Sequence, residues 1–114
     1  VTNDCLFCKI AAREIEADIV AESPRVLAFR DIAPVAPTHI LVIPKHHIAS
    51  VRELGAGDTA ILAEMLELMV SIASDEGLES GYRIVTNIGP DGGQTVDHLH
   101  FHLLGGRSMA WPPG

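Results

Sequence analysis

Positive charge is scarce in this chain: eight Lys and Arg stand against fifteen Asp and Glu, for a formal charge of −7. The eight are scattered, and electrostatic affinity for a polyanion needs clustered cations, so no nucleic-acid surface is expected. A small phosphate ligand stays open, because a few backbone N–H groups bind one without net positive charge. Long apolar runs are missing too, and none approaches the roughly 20 residues that cross a bilayer. The opening VTNDCLFCKI lacks a basic start followed by an apolar stretch and a small-residue cleavage site, which predicts a cytoplasmic protein with no membrane partner. Cysteine occurs only twice. The pair forms one Cys5-x-x-Cys8 unit rather than a framework of bridges, and reads as metal or redox chemistry.

What is present suffices for a core. At 114 residues, 47% hydrophobic and 20% charged, the chain predicts one compact domain over residues 1–114, with no tandem repeat or low-complexity segment. Leu6, Phe7 and Ile10 fall at helical spacing in CLFCKIAAREI. Ile19–Glu22 and Val26–Phe29 read as two short strands around Ser23-Pro24. After Pro34 and Pro37, the run Thr38-His39-Ile40-Leu41-Val42-Ile43 is β-branched and apolar, a buried strand closed by Pro44. From Asp58, a good N-cap, Ile61, Leu62, Met65, Leu66, Met69, Ile72 and Ala73 recur at helical intervals until Gly77. Tyr82–Asn87 predicts another strand, 89–93 a loop, and 96–104 a strand returning beside it. Antiparallel strands with two helices predict an α+β fold.

The segment VDHLHFHLL holds half of the six histidines, at alternate positions. Side chains alternate across a strand, so His98, His100 and His102 would share one face while Leu99, Phe101 and Leu103 fill the core. Packing calls for no such trio. A single metal is a poor explanation for all three, since the outer pair of an extended strand would lie about 13 Å apart at Cα while zinc–nitrogen bonds are about 2.0 Å. A neutral imidazole nucleophile with histidine neighbours to fix its tautomer and move protons needs no metal. Gly92-Gly93-Gln94-Thr95, just before the trio, offers unhindered backbone N–H groups for a phosphoryl oxygen.

His98-Leu99-His100-Phe101-His102-Leu103-Leu104 resembles the H-φ-H-φ-H-φ-φ motif of the histidine triad family, φ being apolar. Asp31-Ile32-Ala33-Pro34-Val35-Ala36-Pro37-Thr38-His39-Ile40-Leu41-Val42-Ile43-Pro44-Lys45, Asn87, Asp91-Gly92-Gly93-Gln94-Thr95 and the terminal Trp111-Pro112-Pro113-Gly114 resemble its Hint branch, the histidine triad nucleotide-binding proteins. The resemblance implies a homodimer joined through a helix and a strand into one continuous sheet. It also implies purine nucleotide sites that hydrolyse AMP or GMP phosphoramidates and acyl-adenylates. By it His100 is the nucleophile that becomes nucleotidylated, with His98, His39 and His102 orienting it, relaying protons and contacting phosphate. Asn87, Gln94, Thr95 and the backbone at Val96 would hold phosphate, Asp31 the ribose hydroxyls, and Phe7, Phe29, Ile32, Leu6 and Ile10 the base. Trp111 would lie near the partner's site. Thr95 stands where serine is common in that branch, which bears on rate more than on mechanism. The alternative is a nucleotide-binding regulatory or partner-binding module with weak catalysis.

Thioredoxin-like Cys-x-x-Cys pairs follow a strand within a βαβ unit, whereas only four residues precede Cys5. Some bacterial histidine triad proteins resemble this chain in joining such a pair to the histidine of a Pro-Lys-x-His segment and to the first triad histidine. The resemblance therefore implies a structural zinc on Cys5, Cys8, His47 and His98, with no cofactor required for catalysis. His46 would be a surface neighbour. A hydrolase using the triplet itself as zinc ligands is a third reading.

Overall fold

Thr38–Pro44, the β-branched run, forms the middle of a five-stranded sheet, and every one of its seven residues is buried. In the computed structural model, which describes residues 4–114, the chain runs through α1 (Leu6–Ala11), β1 (Ile19–Glu22), β2 (Val26–Arg30), β3 (Thr38–Pro44), α2 (Thr59–Asp75), β4 (Tyr82–Val85) and β5 (Phe101–Gly105). Two short 3₁₀ turns, Val51–Glu53 and Ala56–Asp58, precede α2. The strand order is β1-β2-β3-β5-β4, with every neighbouring pair antiparallel.

Alternation divides the sheet into two apolar faces. Val26, Ala28, Ile40, Val42 and Leu103 pack against Ile61, Met65, Met69 and Ile72 of α2. Leu27, Phe29, Leu41 and Ile43 pack on the opposite side against Phe7 and Ile10 of α1. Burying one such aliphatic or aromatic side chain contributes about 1.5–3 kcal/mol, which is how a six-residue helix too short to persist alone is held in place. Cross-strand partners share a face, so Leu41↔His102 puts His102 on the α1 side, and alternation along β3 puts His39 there too. The histidines thus line the face that the long helix leaves uncovered.

Two sequence expectations need correction. The strand anticipated over 96–104 is only Phe101–Gly105. Its ladder with β3 ends at Val42↔Phe101. Pro44 has no N–H with which to extend it, the Leu99 N–H turns to the Ile48 carbonyl at 2.6 Å, and His98 takes up the Pro44 carbonyl. Leu99 still fills the core, but only His102 of the trio lies on a strand. Asp58 does occupy the N-cap position of α2, yet its carboxylate accepts the Gly55 N–H at 2.8 Å instead of a helix amide. Among the described residues no helix is long and apolar enough to cross a membrane.

Candidate active site

Four imidazoles converge where β3 and β5 meet the segment before β5. His39 and His102 come from the strands; His98 is fully buried, and His100 is 5% exposed. Hydrogen bonds assign each ring's tautomer. His100 Nδ1 lies 2.7 Å from the His98 carbonyl, which can only accept, so Nδ1 carries the proton and Nε2 keeps a lone pair. His39 Nδ1 accepts the Val35 N–H at 3.1 Å, so the His39 proton is on Nε2. That N–H faces His102 Nδ1 at 2.9 Å and Asp31 Oδ2 at 3.4 Å. His102, accepting at Nδ1, therefore carries its proton on Nε2. Burial pushes His102 down to about 4, the charges His100 and His39 could carry push the same way, and Asp31 opposes them. Burial likewise lowers His39 against the pull of Asp31, whose carboxylate lies beside the N–H that His39 donates to His102. The His100 and His102 rings lie 5.1 Å apart, a nitrogen lone pair on one beside a ring N–H donor on the other.

His98 has the opposite arrangement to His100. Its Nε2 donates to the Pro44 carbonyl at 2.9 Å, leaving the Nδ1 lone pair toward two sulfurs. Cys5 Sγ lies 3.2 Å and Cys8 Sγ 3.5 Å from His98 Nδ1, with His47 Nδ1 3.4 Å from Cys8 Sγ. Zinc bonds of about 2.3 Å to sulfur and about 2.0 Å to nitrogen give tetrahedral edges of about 3.5 Å between S and N donors, close to these separations. The four donors, all within 4.8 Å of one another, suit zinc, and the Pro44 carbonyl orients His98 as a metal ligand's outer partner does. Burial pushes His98 down to about 4, which keeps that lone pair unprotonated. Asp31, His39 and His102 are equally close together. There, however, the Val35 amide holds the His39 proton on the atom a metal would need, so this group fits a relay of hydrogen bonds. His46 is exposed, as expected.

Phe7 joins the two clusters, edge-on to His100 at 5.1 Å, to His98 at 6.0 Å and to Phe29 at 5.5 Å. Phe7, Phe29 and Ile10 are buried core residues, of which Phe7 meets the histidines, whereas Leu6 is exposed and Ile32 is 100% exposed. Asp31 Oδ1 accepts the Ala33 N–H at 2.8 Å. The expectation of free amides at 92–94 is not met: the N–H groups of Gly92 and Gln94 both go to the Gly89 carbonyl and that of Gly93 to Pro90. A tight turn uses its own donors. Gly92 is required in it, because a Cβ there would fall 2.3 Å from the Ile88 carbonyl oxygen.

The two amide side chains brace the same turn. Asn87 Nδ2 donates to the Gly92 carbonyl at 2.7 Å. Gln94 accepts from Gly89 N–H through Oε1 and donates from Nε2 to the carbonyls of Ala49 and Val96. Thr95 is exposed and Val96 packs against the Phe7 cluster. Both line a cavity of about 450 Å³ together with Cys5, Leu6 and His47. Trp111 is 83% exposed and is not brought to the histidines. A larger depression of about 630 Å³, beside Tyr82, Arg83 and Arg107, contains none of the expected site residues. The groups that sequence reasoning missed are the Val35 amide and the Pro44 and His98 carbonyls, backbone atoms that no side-chain motif announces.

Known proteins share this fold. The chain is 59% identical over 114 residues to an uncharacterised HIT-like protein of Synechococcus elongatus, covering 100% of both. It is 50% identical over 111 residues to the 14 kDa zinc-binding protein of Zea mays, covering 96% of this chain and 87% of that one. Among solved structures, a HIT family hydrolase from Legionella pneumophila superposes with a TM-score of 0.95 at 54% identity, covering 97% of this chain and 100% of that one. A histidine triad nucleotide-binding protein from Candida albicans superposes with a TM-score of 0.82 at 32% identity, covering 96% and 83%. The HIT domain family matches residues 12–109. With its α+β sheet and its histidines in these positions, the chain belongs to the HIT family.

Proposed function

We propose that this single HIT domain hydrolyses P–N bonds of purine nucleoside phosphoramidates, and the mixed anhydride of acyl-adenylates, through a nucleotidyl intermediate on His100. The observation that carries this reading is the 2.7 Å bond from His100 Nδ1 to the His98 carbonyl, which leaves Nε2 as the nucleophile. Its lone pair attacks the α-phosphorus as the P–N bond breaks. Positive charge then develops on the ring, and the His98 carbonyl stabilises it through Nδ1–H. The leaving nitrogen must gain one proton, and the water that later attacks the phosphorylated ring must lose one. That proton is borrowed from solvent and returned, and we assign its passage to His102 Nε2, backed at Nδ1 by His39.

Phe7, Phe29, Ile10, Leu6 and Ile32 would enclose an adenine or guanine, and Asp31 would accept from the ribose hydroxyls. Asn87, the Thr95 hydroxyl and the backbone at Val96 would hold phosphate, and Gln94, whose own donors are all used in the turn, would hold that turn in place. Cys5, Cys8, His47 and His98 would hold zinc, and a closed set of four ligands supplies structure rather than catalysis. The name of the maize relative supports zinc, and the names of the Legionella and Candida proteins support hydrolysis and nucleotide binding. A homodimer is supported by the open edge of β4 and by the exposure of Leu66, Val70 and Tyr82. Trp111 would then reach the partner's site.

The test is hydrolysis of adenosine 5′-phosphoramidate by the wild type and by His100→Asn, each with and without a zinc chelator. Turnover is expected to survive chelation and to fall by about 10³-fold or more in the variant. A folded wild type that binds AMP without turnover would replace this reading with a binding module. Activity lost with the metal in a still-folded protein would replace it with a zinc hydrolase.

A further inference from the structure

We propose that the Val35 N–H is a positioning group that fixes the direction of the hydrogen bonds through His39 and His102, and that Arg107 holds it in place. The inference rests on the reading of His102 as the donor facing the reacting phosphoryl group. Two neutral imidazoles in contact can be joined in either direction. In the observed one, His39 Nε2–H donates to His102 Nδ1, and His102 turns an N–H outward at Nε2. In the reverse, His102 donates from Nδ1, and its outward Nε2 becomes a lone pair facing an anionic phosphoryl group. Ring tautomers interconvert readily, but a backbone N–H is always a donor. At 3.1 Å from His39 Nδ1 the Val35 amide excludes a proton there, because two donors would then face each other in a half-buried site.

Asp31 Oδ2, 3.4 Å from His39 Nε2, favours the same direction. Nucleotide binding would draw that carboxylate to the ribose, whereas the amide remains. Val35 is itself held through its other peptide group. Arg107 Nη2 donates to the Val35 carbonyl at 3.0 Å and Arg107 Nη1 to the Ser108 carbonyl at 3.1 Å. Pro34 and Pro37 restrict the loop on either side of Val35. Gly106, at φ +90°, lets the chain carrying Arg107 press against that loop, since a Cβ there would lie 2.8 Å from Pro37 Cβ. Arg107 is exposed and lies in neither histidine cluster, so its role is to position.

The test reads ring tautomers directly, from long-range ¹H–¹⁵N correlation spectra of the full chain with AMP bound, the state in which Asp31 would turn to the ribose, alongside single-turnover nucleotidylation by adenosine 5′-phosphoramidate. In the wild type, His39 and His102 should both carry the proton on Nε2. Val35→Pro removes the N–H and should give His39 a mixed tautomer signal and a nucleotidylation rate lower by about tenfold or more, with AMP affinity little changed. Arg107→Ala should shift both readouts the same way by a smaller amount, and Arg107→Lys should restore them in part. The inference is overturned if His39 keeps a pure Nε2–H signal in folded Val35→Pro, or if Arg107→Ala matches the wild type in both readouts. The surface position of Arg107 lets that variant decide the matter if Val35→Pro does not fold. A wild type without turnover would sink the hydrolase reading, while the ring spectra would still settle the relay.

Discussion

His102 sets the residue-scale behaviour in acid. Burial holds its folded value at about 4, while an imidazole in an unfolded chain titrates near about 6.5. As pH falls the unfolded chain takes up the proton first, so the contribution of His102 to stability is complete above about 6.5 and is lost toward 4, by up to about 1.4 kcal/mol per pH unit for the single proton. Burial of His39 acts in the same direction. Urea midpoints measured from pH 7 to pH 4 should fall steadily in the wild type and less in His102→Gln; equal slopes in the two would contradict the assignment. The residue chemistry was partly legible in the sequence. Three alternate histidines announce themselves, because their chemistry is in the side chains. Their tautomers were not legible, because the Val35 amide and the carbonyls of Pro44 and His98 set them, and backbone groups carry no sequence signature.

At the scale of elements, the turn before β5 depends on Gln94. One side chain joins the turn to the Ala49 carbonyl of the loop before α2 and to Val96 through three hydrogen bonds. Gln94→Ala should therefore destabilise the protein by about 2–3 kcal/mol and weaken AMP binding, since losing one such bond costs about 1 kcal/mol. Chemical denaturation and calorimetric titration check the two effects, and an unchanged midpoint would mean that the bonds are not maintained in solution. Gly92→Ala should be worse than its small volume suggests, because the Ile88 backbone occupies the place of the Cβ. The β-branched stretch of β3 and the apolar stripe of α2 could be read in advance, as each keeps the period of its own element. The segment 96–100 misled because its apolar alternation mimics a strand. It leaves the ladder where Pro44 offers no N–H, and a neighbour's missing donor is invisible to a pattern within one segment.

For the whole molecule, α1 is the part most dependent on distant residues. Its six residues are held by Phe7 and Ile10 on the sheet and by Cys5 and Cys8 facing His47 and His98. Purified protein should contain one zinc per chain by elemental analysis, and Cys8→Ser should lose it and melt at a lower temperature while keeping its ability to hydrolyse phosphoramidate; metal content unchanged in the variant would contradict the donor set. Assembly should depend on the exposed apolar residues, so Val70→Glu is expected to convert a dimer into monomers in sedimentation, and a wild-type monomer would remove that part of the account.

A covalent bond between His100 and the nucleotide would be caught by rapid acid-free quenching of chelator-treated protein with adenosine 5′-phosphoramidate, followed by intact mass and peptide mapping. A transient adenylyl adduct is expected on the peptide containing His100, confined to that residue and absent from His100→Asn. AMP released with no adduct at any time, or an adduct carried by a different residue, would contradict it.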